Sequence, residues 1–186
     1  MKDGPMTDND LVQSALEGNM DAYRTLVDRY RGPAMALALN ILANVQDAED
    51  ACQEVFLKAL RGLSGFDPER SFKNWFYALL SHHCLDEIRK RKRFFRVLGR
   101  LQIQSGLAAP GHGPADRVLP AYLGLKLLGL LRPKERTAIY LWSQEGYSGA
   151  EIAAVLGCSE KTAHVHLFRA RTRLRALLKE KVNDSY

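Results

Sequence analysis

Apolar residues along this chain recur at intervals of three and four, and no run of alternating β-branched residues competes with that period, so the pattern predicts helices throughout. A short helix is expected over 8–16, followed by a break at Gly18-Asn19. A second is expected over 21–42, with Ala22, Leu26, Tyr30, Leu37 and Ile41 on its apolar face and a kink point at Gly32-Pro33. A third runs from 46 to a stop at Gly62, and Ser64-Gly65-Phe66-Asp67-Pro68 reads as a loop. A fourth, over 72–93, is aromatic at its start and basic at its end. Residues 94–118 then carry Gly99, Gly106, Pro110, Gly111, Gly113 and Pro114, which break any long periodicity and mark a linker. Beyond it, helices are expected over 119–131 and 134–144, with Pro133 at a helix start. Ser148 and Glu151 form a Ser-x-x-Glu capping box, Gly157 ends that helix, and Ser159 opens a last one to about 181. The expected fold is all-α: two small helical domains, 8–93 and 119–181, joined by a flexible linker over 94–118.

Charge separates these halves. The chain of 186 residues has a formal net charge of +6, but residues 1–93 hold 13 Lys and Arg against 14 Asp and Glu, whereas 94–186 hold 14 against 7. The second half therefore suits a polyanion, because Lys and Arg neutralise phosphates and release condensed counterions. Cys52, Cys84 and Cys158 are odd in number and sit inside apolar helical patterns, as reduced core cysteines do. No segment approaches the roughly 18 apolar residues of a membrane span, and MKDGPMTDND has no signal-peptide pattern, so a cytoplasmic protein is expected.

The strongest local signal is the segment from Ser148 to Leu178. Two helices separated by a glycine-containing turn are the geometry of a helix-turn-helix, whose second helix lies in the major groove. In that helix Ala163, Leu167, Ala170, Leu174 and Leu177 make one core stripe. Lys161, His164, Val165, Phe168, Arg169, Arg171, Arg173 and Arg175 are left facing outward. Cations there can reach phosphates or guanine edges, and apolar side chains can touch a thymine methyl. A solvated basic face on a helical hairpin is the plainer alternative.

Two further constellations lie in the first half. Asp47, Asp50 and Glu54 fall at helical spacing on one side of a helix whose other side is Ala48, Ala51, Cys52, Val55 and Ala59. Such a face repels nucleic acid and is either solvated or a dock for a basic partner. The second constellation sets Phe66, Phe72, Trp75, Phe76 and Tyr77 before the cluster Arg89 to Arg93, which is the composition that single-stranded DNA binding needs. Phe72, Phe76 and Leu79 follow one stripe and are expected in the core, so a minority of the aromatics is left for bases. The His82-His83 and His164-x-His166 pairs lack the partners of a metal site, and no phosphate loop or nucleophile elbow is present. No metal, cofactor or catalytic site is expected.

In this order and spacing the motifs resemble the extracytoplasmic-function (ECF) group of bacterial sigma-70 family sigma factors, over about Asp10 to Lys179. Asp47-Ala48-Glu49-Asp50 with Gln53-Glu54-Val55-Phe56, Phe72-x-x-Trp75 and Asp86-x-x-Arg89 are similar to sigma region 2. Leu131-x-Pro133-x-x-Arg136, Glu151-Ile152-Ala153 with Leu156-Gly157, then Thr162 and Arg169-Ala170-Arg171, are similar to region 4. The resemblance implies that Asp47, Asp50, Gln53 and Glu54 dock the clamp helices of the largest subunit of core RNA polymerase, with region 4 on the flap of the second largest. It implies that Arg61, Phe66, Arg70, Ser71, Phe72, Trp75, His82 and Arg89 capture the melted minus-ten strand. Lys161, Thr162, His164, Val165, Phe168, Arg169 and Arg171 would read the minus-thirty-five duplex. It also implies an anti-sigma factor, membrane-associated, and a regulon of stress or metal response.

His82 stands where Asn is usual in the group, Lys161 where Gly is frequent, and His164 and His166 where Lys or Arg is commoner. The competing expectation is an ordinary helix-turn-helix regulator with a sensing or dimerisation domain. The acidic and aromatic-basic helices of the first half argue against it.

Overall fold

The computed structural model describes residues 6–105 and 129–183, with side chains over 6–98 and 129–179. The first helices are α1 (Asp8–Leu16), α2 (Met20–Leu42) and α3 (Val45–Gly62), followed by a 3-10 turn over Leu63–Gly65 and by α4 (Phe72–Ser105). After the undescribed stretch come α5 (Pro133–Gln144), α6 (Gly149–Leu156) and α7 (Glu160–Asn183). Among the described residues there is no strand.

Local chemistry sets the boundaries. Thr7 and Asp10 cap α1 reciprocally, Asn19 accepts from the Asp21 and Ala22 amides at the start of α2, and Asn44 accepts from Asp47 at the start of α3. Pro33 lies inside α2, which is assigned as one helix across the expected kink point. Its buried side, Ala22, Tyr23, Leu26, Tyr30, Ala34, Leu37, Ala38 and Ile41, is the spine around which α1, α3 and α4 pack. From α4 the core stripe is Phe72, Phe76, Leu80 and Cys84, at intervals of four. Leu80, fully buried, takes the place expected of Leu79, which is partly exposed.

The other difference lies at the end of α4. The helix continues to Ser105, twelve residues past the expected end at Arg93. Nothing before Gly99 breaks a helix, and Gly99 alone costs only about 1 kcal/mol relative to Ala. Most of the expected helix over 119–131 lies outside the described residues.

In the second domain Ser148 caps α6, its backbone and hydroxyl bonding Glu151 at 2.9 and 2.8 Å. Gly157 closes α6 in the left-handed conformation, φ 59°. Ile152, Val155 and Leu156 of α6 are buried with Ala163, Leu167 and Ala170 of α7.

The two domains touch, α4 against α6 and α2 against α5. At this junction Glu145, just after α5, accepts a hydrogen bond from the Tyr77 hydroxyl (3.1 Å) and an ion pair from Lys73 (2.8 Å). The Tyr77 and Tyr147 rings stack at 6.1 Å, with the Lys73 ammonium 5.4 Å from the Tyr147 centroid.

Candidate nucleic-acid interface

Three surfaces carry the residues singled out in the sequence. On α7 the buried stripe turns Lys161, His164, Val165 and Phe168 outward together; Phe168 is 70% exposed and Val165 38%. A large aromatic held that far into solvent gains nothing for folding, so its use lies in contact with something else. Arg169 and Arg171 flank this face on opposite sides. Arg169 shares its side with Arg132 and Arg173, and Arg171 lies over the Trp142 ring at 4.9 Å. Thr162 turns its hydroxyl to Ser159 at 2.8 Å, so it completes the turn as well as facing out. His164 lies against the start of α6, where a Cβ on Gly149 would come within 2.5 Å of its ring. His166 is half-buried, and burial together with Lys134 holds its pKa below the usual histidine value, so it adds no phosphate-binding charge at neutral pH. Arg132 and Thr172 border the same face and were not singled out; Arg132 could have been found as the cation before a proline-initiated helix.

The second surface is the loop after α3 with the outer side of α4. Arg61, Arg70, Ser71, His82 and Arg89 are exposed and Trp75 is partly so. Phe66 and Phe72 are in the core, 5% and 3% exposed, packed edge to face with each other at 5.8 Å. That corrects their assignment to the contact surface: they support the loop from beneath, and only Trp75, 5.3 Å from Phe66, brings a ring edge toward solvent. Arg70 and Arg89 are held by Asp67 and Asp86.

The third surface is α3. Asp50, Gln53 and Glu54 are exposed, and Asp47, Asp50 and Glu54 line one cavity with His83, Glu87 and Arg91 of α4, as their spacing predicts. Asp47 is turned toward α4 and pairs with Arg91 at 2.7 Å, which raises the Arg91 pKa further. An acid committed to a partner 44 residues away is not a free docking charge, and no local spacing foretells that. Glu54 is held by Lys58 (2.8 Å), whose ammonium also donates to His83 Nδ1 at 3.0 Å. His83, 8% exposed, has its pKa lowered by burial and by Lys58. Gln53 instead lies on a groove between α2 and α3 of about 790 Å³, with Glu49, Asp28, Arg31, Phe56 and the 53% exposed Leu57. Among the described residues no group of three or more His, Cys, Asp or Glu is placed to hold a metal, and no helix is long and apolar enough to cross a membrane.

A two-domain chain with an outward recognition helix and a loop-helix surface finds close relatives. Residues 26–94 match the sigma-70 region 2 family and 125–174 the sigma-70 region 4 family. The ECF RNA polymerase sigma factor SigW of Bacillus subtilis is 30% identical over 91% of this chain and 95% of its own length. The chain is an ECF sigma factor of the sigma-70 family. The RNA polymerase sigma factor CnrH of Cupriavidus metallidurans is 35% identical over 92% of this chain and 94% of its own. The solved sigma factor RpoE of Bartonella quintana, in complex with the anti-sigma factor NepR, superposes with a TM-score of 0.68 at 26% identity, over 84% of this chain and 96% of that one. As a sigma factor it works in transcription initiation, with RNA polymerase and promoter DNA as its partners.

Proposed function

We propose that this sigma factor reads the minus-thirty-five duplex through Lys161, His164, Val165 and Phe168 of α7, flanked by Arg169 and Arg171. It captures the melted minus-ten strand on Arg61, Arg70, Ser71, Trp75, His82 and Arg89, and docks the polymerase clamp helices through Asp50, Gln53 and Glu54. Region 4 rests on the flap of the second-largest subunit. The observation that carries the reading is the exposed Phe168 face, held out by the fully buried Ala163 and Ala170 on the opposite side of the same helix. His82 puts an imidazole, with one donor and one acceptor when neutral, where its relatives commonly carry an amide, so the recognised minus-ten base differs from theirs.

Control by an anti-sigma factor, membrane-associated as the resemblance implies, is supported by the complex in which the Bartonella relative was solved. The test is in vitro transcription by purified core polymerase, with and without the protein, on a fragment library of its own genome. Start sites that appear only with the protein are expected and reveal the promoter. DNA binding with no protein-dependent initiation would leave it an ordinary regulator.

A further inference from the structure

On α4, at 100° per residue, Trp75, His82 and Arg89 fall within about 40° of one another, a single outer line along the helix. Arg93 and Arg96 continue that line at spacings of four and three, and Lys92 lies at its edge. All three are exposed. Their neighbours are committed: Arg89 pairs with Asp86, Lys90 with Glu87 and Arg91 with Asp47. Lys92, Arg93 and Arg96 have no ion-pair partner among the described residues. From Ile88 to Ala115 the sequence holds no acidic residue at all, whereas a merely solvated helix face alternates its charges. Phe94 and Phe95, 62% and 52% exposed, lie on the opposite side of the helix, so beyond Arg89 the outer line is cationic.

We propose that Arg93 and Arg96, with Lys92 at the edge, form a phosphate track for the intact duplex adjoining the captured minus-ten strand, on the side of the minus-thirty-five element. The proposal rests on the reading of the outer face of α4 as the minus-ten surface. From His82 to Arg96 the helix rises about 21 Å, which matches roughly six base pairs at 3.4 Å each, so the track lies beyond the captured bases and not on them. It reads no sequence. It fixes where the double strand ends relative to His82.

The test uses holoenzyme assembled from core polymerase and full-length R93Q/R96Q, with two probes taken from the protein's own promoter. One is a fork with duplex upstream of a single-stranded minus-ten element; the other is that single strand alone. Two lost phosphate contacts should lower the slope of log affinity against log salt on the fork by about 1.8, which is roughly 30-fold weaker binding at 0.15 M salt than at 1 M, relative to wild type. Binding to the single strand should not change, and F94S/F95S should keep the wild-type slope. An unchanged fork slope, or an equal loss on the single strand, overturns the track. So does a slope that falls equally in F94S/F95S, and so does a loss seen on anionic phospholipid vesicles and not on the fork. Wild-type holoenzyme that does not distinguish its minus-ten strand from a scrambled one would sink the minus-ten reading itself, and the track with it.

Discussion

Replacing Glu145 by Ala should loosen the contact between the two domains. In the closed arrangement its carboxylate is 13% exposed and accepts from Tyr77 while pairing with Lys73. A hydrogen bond from a buried hydroxyl to a charged acceptor contributes about 1.5 to 3 kcal/mol. The Lys73 side chain is 37% exposed, so its ion pair is discounted to no more than about 1 kcal/mol. Together the loss is about 2 to 4 kcal/mol, close to two orders of magnitude in the closed-to-open ratio. Against this stands the buried Tyr147 hydroxyl, which has no hydrogen-bond partner among the described residues and whose desolvation costs about 1 to 3 kcal/mol. Closure therefore draws on this carboxylate together with the packing of α4 on α6 and of α2 on α5, and its loss should raise the open population.

Small-angle scattering reads the result directly. A compact chain of this length has a radius of gyration near 16 Å, and the Glu145→Ala protein should exceed the wild type by several Å. A cycle of Tyr77→Phe and Glu145→Gln should show a coupling of about 1 to 2 kcal/mol in unfolding free energy. Additive effects within about 0.3 kcal/mol, together with unchanged scattering, would refute the reasoning.

Five further outcomes are expected. Asp50→Arg should abolish binding to core polymerase with little loss of stability, as measured by affinity and by thermal melting, because the residue is exposed. Asp47→Arg should instead destabilise the fold, because it sets a second cation against Arg91. Phe168→Ala and Arg169→Ala should each weaken minus-thirty-five binding by about 1 to 3 kcal/mol; equal losses on unrelated DNA would reduce them to backbone contacts. Gly157→Ala should cost about 1 to 2 kcal/mol in unfolding free energy, since φ is 59° and the new Cβ would stand 3.0 Å from His82 Nε2; His82→Ala should recover the steric part alone. His83 has its folded pKa lowered, so the unfolded chain binds its proton first; its contribution is intact above about pH 6.5 and is lost as pH falls below that. His83→Gln should flatten that part of the stability profile.

How much of this was legible in sequence depends on distance along the chain. The Ser148-Glu151 box and the Gly157 stop involve partners three to nine residues apart, and α6 stands where they put it. The same holds for α1, whose caps are local. What escaped were pairings between elements. Asp47 with Arg91, Tyr77 with Glu145, and the α2–α3 groove beside Gln53 join residues more than twenty positions apart, and no helical period encodes which faces meet. Phe66 was misassigned for a related reason, whereas the helical stripe already put Phe72 in the core against what the resemblance implied. An aromatic next to a basic cluster has the same composition whether its ring faces bases or the core, and only the packing of α4 on α2 decides it.

Distance also bears on how the closed arrangement and promoter recognition are related. The two promoter elements stand about 25 base pairs apart by their names, or about 85 Å along the duplex at 3.4 Å per pair. The closed form, whose longest helix is α4 at about 51 Å, falls well short of that span. It cannot lay α4 on one element and α7 on the other, so the Glu145 contact and simultaneous recognition exclude each other. In the closed form, however, the Phe168 face remains open while Lys73 and Tyr77 of α4 are engaged by the second domain. Both proposed reading faces are therefore open before the domains part, except at His82, whose ring lies against Gly157 and whose minus-ten contact is completed only afterwards. A weak, tunable junction suits that order. A carboxylate contributing much more than about 2 to 4 kcal/mol to closure would be an obstacle that docking on polymerase had to overcome in every initiation.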